Sequence, residues 1–250
     1  MRWRHILAAG DAAPAGLHAI RVARDLAASA GVRCSAVTVL PPGAGEQVPD
    51  ALAEHEPVVA HGVPGIEIVR LAEETGADLI VLGRTIHGDP DGLRLGSTAD
   101  QVARRSRVPC LFVPEAQDCF CDHLVALDGT DRGYAVLETA QAFLGLVSGR
   151  ITVVTVEPAA ADGAIPHARS MRVARKLDEL GRGEAGRPKI PLTVLRGDPV
   201  EAIRGALDAA RAGLLVLGAR RGGPGGPPVG TGVGRMLLSS AQSAVLTVPL

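Results

Sequence analysis

Aromatic side chains are nearly missing from these 250 residues: one Trp, one Tyr and three Phe make up 2% of the chain. Trp3, Tyr134, Phe112, Phe120 and Phe143 are scattered, which leaves no stacking platform for single-stranded nucleic acid. A surplus of one charge is missing too. The formal net charge of −1 gives no general attraction to a polyanion, so nucleic acid is not an expected partner. No apolar run reaches the length of a membrane span, and Met1-Arg-Trp-Arg-His lacks a following secretory core. These absences predict a cytoplasmic chain with no membrane partner. Cysteine is sparse, and Cys34, Cys110, Cys119 and Cys121 fit reduced thiols in that compartment. A single residue separates Cys119 from Cys121, which matches neither a redox C-x-x-C nor a metal pair with partners. Free thiols in a linker are expected.

Catalytic signatures are absent from the sequence as well. There is no P-loop lysine motif, no HExxH, no EF-hand pattern and no Gly-x-Ser-x-Gly elbow. His5, His18, His55, His61, His87, His123 and His167 show no ligand spacing. His87 reads as a solvated loop residue, and His18 and His167 read as helix-surface residues. The acidic pairs Glu73-Glu74 and Asp178-Glu179 read as solvated helix faces.

What is present is a repeat. Hydrophobic residues form 46% of the chain, mostly Ala, Val and Leu, enough to bury the cores of two modest α/β domains. Ile6-Leu-Ala-Ala-Gly-Asp11 lies over Leu124-Val-Ala-Leu-Asp128, and in each case a helix-like segment follows, over 15–30 and 133–147. Val39 and Val156 both stand 28 residues after their aspartate. Gly62-Val-Pro64 and Gly197-Asp-Pro199 each open an amphipathic stretch, with proline in the first turn where its missing N–H is harmless. From those glycines it is 21 residues to Gly83 and to Gly218, and 26 more to Pro109 and Ala244. The whole length difference of 18 residues falls between Val39 and Gly62 compared with Val156 and Gly197. Chance similarity would not confine it so. The chain is a duplication, each half reading β-α-β-α-β-α-β-α-β, with right-handed crossovers and a parallel sheet. The second helix is long in the second half (His167–Leu180) and short in the first (Pro49–Glu56), and 41–48 and 181–188 read as mobile loops.

The residues that carry a family likeness are Leu124-Val-Ala-Leu-Asp-Gly-Thr130, Gly197-Asp-Pro-Val-Glu-Ala-Ile203, Ala77-Asp-Leu-Ile-Val-Leu-Gly83, and Leu95-Gly-Ser-Thr-Ala-Asp100 before Val108-Pro-Cys-Leu-Phe-Val-Pro114. In this order and spacing, found twice, the chain resembles a tandem universal stress protein. Domain 1 spans 1–115, a linker 116–122, and domain 2 123–250. The resemblance implies two tandem open parallel five-stranded sheets of order 3-2-1-4-5, helices on both faces, in an adenine-nucleotide α-hydrolase-like fold. It also implies dimerisation through the last strand, an edge that would otherwise expose unpaired backbone. In a tandem chain the two halves can pair with each other, and whole chains can pair again as a homodimer.

Open parallel sheets bind ligands beyond the carboxyl ends of the strands where strand order reverses, here between the first and fourth strands. Asp11, Gly83 and the Gly96-Ser97-Thr98 turn converge there in the first half; glycine admits a phosphate closely and a helix N-terminus offers N–H donors. ATP-binding members of the family carry Gly-x2-Gly-x9-Gly-[Ser/Thr] in this loop. The first half keeps the outer spacing from Gly83 to Gly96-Ser97, but Ile86 replaces the middle glycine and resists left-handed backbone. Gly88 compensates only if the loop shifts. The second half starts at Gly218, has Arg221 at the middle position and reaches Gly230-Thr231 one residue early, with Arg220 and Arg221 able to meet phosphate. By resemblance Asp11 and Asp128 contact the nucleoside and Val39 and Val156 meet the adenine through backbone groups. The aspartates can equally cap the next helix, and the loops can simply turn the chain.

The expected function is a non-enzymatic stress-response protein that binds ATP or a related adenine nucleotide in at least one domain and acts through conformation or assembly. Slow ATP hydrolysis stays open, though no residue stands as an obvious base. One rival is a nucleotide-free dimerisation module of the same fold. Another is an enzyme of the wider α-hydrolase-like group, which fold alone does not argue for.

Overall fold

The computed structural model describes residues 2–45, 47–89, 92–117, 119–157, 168–182, 189–219 and 232–250. The first half runs through β1 (His5–Ala9), α1 (Pro14–Ala30), β2 (Arg33–Leu40), α2 (Asp50–Ala53), β3 (Val58–His61), α3 (Pro64–Thr75) and β4 (Leu79–Gly83). An antiparallel hairpin of β5 (Ile86–Asp89) and β6 (Gly92–Leu95) follows, then α4 (Ser97–Arg105) and β7 (Cys110–Val113). The second half repeats the plan with β8 (Asp122–Ala126), α5 (Tyr134–Phe143), β9 (Arg150–Glu157), α6 (Ala168–Arg182), β10 (Leu192–Arg196), α7 (Pro199–Ala210), β11 (Leu214–Ala219), α8 (Val233–Ser240) and β12 (Ala244–Pro249).

Within each half the strand order is the expected 3-2-1-4-5: β3-β2-β1-β4-β7 and β10-β9-β8-β11-β12. The two sheets are not separate. β7 and β12 pair antiparallel, Leu111 opposite Leu246, and fuse them into one ten-stranded sheet. The last-strand surfaces assigned to dimerisation are thus used inside the chain. Strands buried on both faces explain the unbroken apolar runs: Ile6 and Ala8 of β1 enter one helix-covered core, Leu7 and Ala9 the other. α1, α2, α5 and α6 cover the first face, and α3, α4, α7 and α8 the second, each core crossing both halves.

Proline opens α3 and α7, as the sequence predicts, and the Asp198 side chain caps α7 by accepting from the Val200 and Glu201 amides at 2.9 and 3.0 Å. The acidic pairs lie on helix faces as read. Glu74 pairs with Arg70 at 2.5 Å and Glu73 with Arg107 at 3.4 Å. His18 does not: it is buried, with Nε2 2.9 Å from the Gln117 carbonyl, because the linker returns over α1. His167 lies outside the described residues. So do 183–188, the greater part of the expected loop over 181–188.

The cysteines bring a second correction. Cys119 and Cys121 are joined sulfur to sulfur, while Cys34 and Cys110 are free. Phe120 between them is buried in the core, while both cysteines are exposed. Burial pushes the Cys110 thiol up to about 12.

Candidate functional site

The crevice between strands one and four has a different character in each half. In half 1, α1 begins three residues after Asp11, and its first turn lies directly on the strand ends. A Cβ added at Gly83 would stand 2.5 Å from the Ala15 carbonyl oxygen, so only glycine admits this contact. Asp11 is exposed and its Oδ1 accepts from the Ala13 amide at 3.1 Å, a helix-entry role. Gly96 caps α4, with Ser97 and Thr98 in the first turn. Between Gly83 and Gly96 the chain forms the β5–β6 hairpin rather than an open loop, and Ile86 pairs with Leu95. Val39 is half-buried in β2, opposite Ala60 of β3.

In half 2 the corresponding helix starts six residues after Asp128, and a cavity of about 750 Å³ lies at the strand ends, lined by β8, β9 and β11 and by residues of α4, α5, α6, α7 and α8. It gathers Asp128, Val156 and Gly218, three of the residues assigned from the sequence. Gly230 and Thr231, like Arg220 and Arg221, lie outside the described residues. Asp128 Oδ1 accepts from the Thr130 amide at 3.0 Å and the Thr130 hydroxyl at 2.6 Å, which fixes the turn into α5. The Leu250 side chain packs over Gly218.

Four arginines line this cavity that sequence reasoning did not assign. Arg169 and Arg172 project from one face of α6, spaced three apart. Arg169 Nη1 donates to the Val156 carbonyl at 2.6 Å, and Arg172 Nε to the Gly129 carbonyl at 3.3 Å. Beside them the Tyr134 hydroxyl donates to the Arg172 carbonyl at 3.2 Å, and burial raises its pKa above the usual value. Arg235 comes from α8, and Arg104 with Asp100 from α4 of the other half. Arg235 Nε lies 2.8 Å from Asp100 Oδ1, and Arg104 pairs with the same carboxylate. Among the described residues the charged lining consists of four arginines and two aspartates, an excess of positive charge. Such a lining attracts a phosphate-bearing ligand, and the volume falls in the range of small-molecule sites. The i,i+3 spacing of Arg169 and Arg172 is a signal the sequence carries; the approach of α4 is not. Among the described residues no group of three or more His, Cys, Asp or Glu could hold a metal ion. Among them, too, no helix is long and apolar enough to cross a membrane.

Strand order, crevice and duplicated plan define a tandem, doubly wound α/β protein. The chain belongs to the universal stress protein family, whose model matches residues 50–114 and 123–249, one segment in each half. Over 52 residues it is 44% identical to universal stress protein MJ0531 of Methanocaldococcus jannaschii, a stretch covering 21% of this chain. The match spans about a third (31%) of that relative's length. The crystal structure of a universal stress protein from Archaeoglobus fulgidus is similar over 100% of this chain and 99% of its own, with a TM-score of 0.74 at 15% identity. A Pseudomonas aeruginosa structure ascribed to the same family covers 99% and 93%, with a TM-score of 0.71 at 15% identity. At that identity the likeness is one of fold.

Proposed function

We propose that this is a stress-response protein that binds ATP or a related adenine nucleotide in the cleft of half 2 and acts, without catalysing a reaction, through conformation or assembly. The observation that carries the reading is the 750 Å³ cavity at the strand-order reversal of half 2, walled by Asp128, Val156 and Gly218 and lined, among the described residues, by more arginines than aspartates. Phosphates fit the arginine fork geometry. A base seated against Val156 meets the Arg169 guanidinium, whose plane can stack on it. Asp128 supplies a carboxylate at the nucleoside end. Half 1 offers less room, because main chain of α1 lies against Gly83.

A second reading, a nucleotide-free pairing module, draws on two contacts: Asp128 Oδ1 already holds Thr130, and the Val156 carbonyl already holds Arg169. Mass spectrometry of small molecules released from purified, denatured protein separates the two. The proposal expects adenine nucleotide at near one equivalent per chain. A protein that releases none, and whose melting temperature is unmoved by millimolar ATP, supports the pairing module instead. A homodimer of whole chains, if formed, uses a surface other than β7 and β12.

A further inference from the structure

The joint between the halves carries information about which half pairs with which. From Gly62 and Gly197 onward, counterparts in the two halves stand 135 residues apart. In the β7–β12 ladder Leu111 faces Leu246, its own counterpart, so a pseudo-twofold axis passes between them. Beside that axis, on α4 and α8, Asp100 and Arg235 are counterparts by the same interval, and they too meet, Nε to Oδ1 at 2.8 Å. In a symmetric pair each residue on the axis meets a copy of itself. Here the two copies have opposite charge.

We infer that the Asp100–Arg235 pair makes the joining face of half 1 selective for half 2 and set against a second copy of half 1. Half 1 on half 1 would bring Asp100 against Asp100; half 2 on half 2 would bring Arg235 against Arg235. With side chains only 16% and 34% exposed, water screens those like-charge contacts incompletely. A second asymmetry acts against half 2 on half 2 alone. Arg84, 4% exposed, reaches across the joint and donates to the Leu238 carbonyl from Nη1 and to the Ser243 carbonyl from Nη2, both at 2.9 Å. Its counterpart is Ala219, which has no such groups, so half 2 on half 2 would lose these bonds. The linker holds the favoured partner close: Phe120 is buried, and Gln117 accepts from the Ala244 amide at 2.6 Å. Because Asp100 and Arg235 also line the cleft, parent and variants are compared as ligand-free protein.

Two single variants of the full chain reproduce the rejected pairings. Arg235→Asp creates the acid-on-acid contact and Asp100→Arg the base-on-base contact. Thermal unfolding and light scattering are measured for both, and for the exchanged double variant. Asp100→Arg is expected to lower the melting temperature by about 3–6 °C, and Arg235→Asp by less because Arg104 remains beside it. The double variant is expected to recover at least half of the combined loss, and the loss in Asp100→Arg to shrink in 1 M salt. Should the reversals fail to fold, Asp100→Asn, Arg235→Gln and their combination give the same cycle in milder form. Losses that simply add, or an Asp100→Arg protein that melts with the parent, overturn the inference.

Discussion

His123 is a side chain whose chemistry follows from where its strand lies. β8 is central, so the imidazole is buried, with its ring 5.8 Å from that of Phe143, and burial pushes its pKa below the ordinary 6.5. His5 of β1 is lowered too, by burial first and then by Arg33. For a depressed folded-state value the unfolded chain binds the proton more readily. The stabilising contribution is therefore full above pH 6.5 and is lost as pH falls through the folded value. Urea unfolding at pH 7.5 and pH 5 should show the loss, and His123→Phe should flatten part of it; an unchanged slope would remove His123 from the account. At this scale the sequence was an uneven guide. It marks Asp128, Val156 and Gly218, which do meet in one cavity, because strand ends and crevice position follow from strand order. It does not mark Arg104, whose approach to the half 2 cleft depends on how the halves join, nor the burial of His18 under a returning linker.

Among the elements, the helices and the parallel ladder were the most legible, since apolar spacing and proline at helix starts state them directly. The hairpin over 86–95 is where reading by resemblance alone misleads. The glycine loop of the family suggests an open strand-to-helix connection, yet Asp89-Pro-Asp-Gly92 is turn chemistry between short alternating segments, and the strands form. Counterpart helices also differ in how they end. α3 stops at Gly76 with φ of 65°, whereas α7 stops at its counterpart Arg211 with φ of 48°, a left-handed conformation strained by any side chain. Arg211→Gly should raise stability by about 1 kcal/mol, seen as a higher urea midpoint with unchanged slope. A lower midpoint would show that the arginine side chain stabilises more than its backbone strain costs.

For the molecule as a whole, duplication was readable from three matched intervals, and the strand order of each half from the family likeness. The inequality of the two crevices was not. Both halves present an aspartate, a valine and a glycine at corresponding places, but in half 1 main chain of α1 lies against Gly83, whereas in half 2 Asp128, Val156 and Gly218 meet in a cavity of about 750 Å³. How closely a helix packs on the strand ends is not stated by apolar spacing, which gives only the face that a helix buries. The account therefore predicts one nucleotide site in a two-half chain. Titration calorimetry with ATP on the parent, Asp128→Asn and Asp11→Asn proteins tests it most directly, because asparagine keeps an acceptor for each turn while removing the charge. One equivalent bound, weakened about tenfold by Asp128→Asn and unaltered by Asp11→Asn, is the expected result. Two equal sites, or a single site that answers to Asp11 instead, would contradict it.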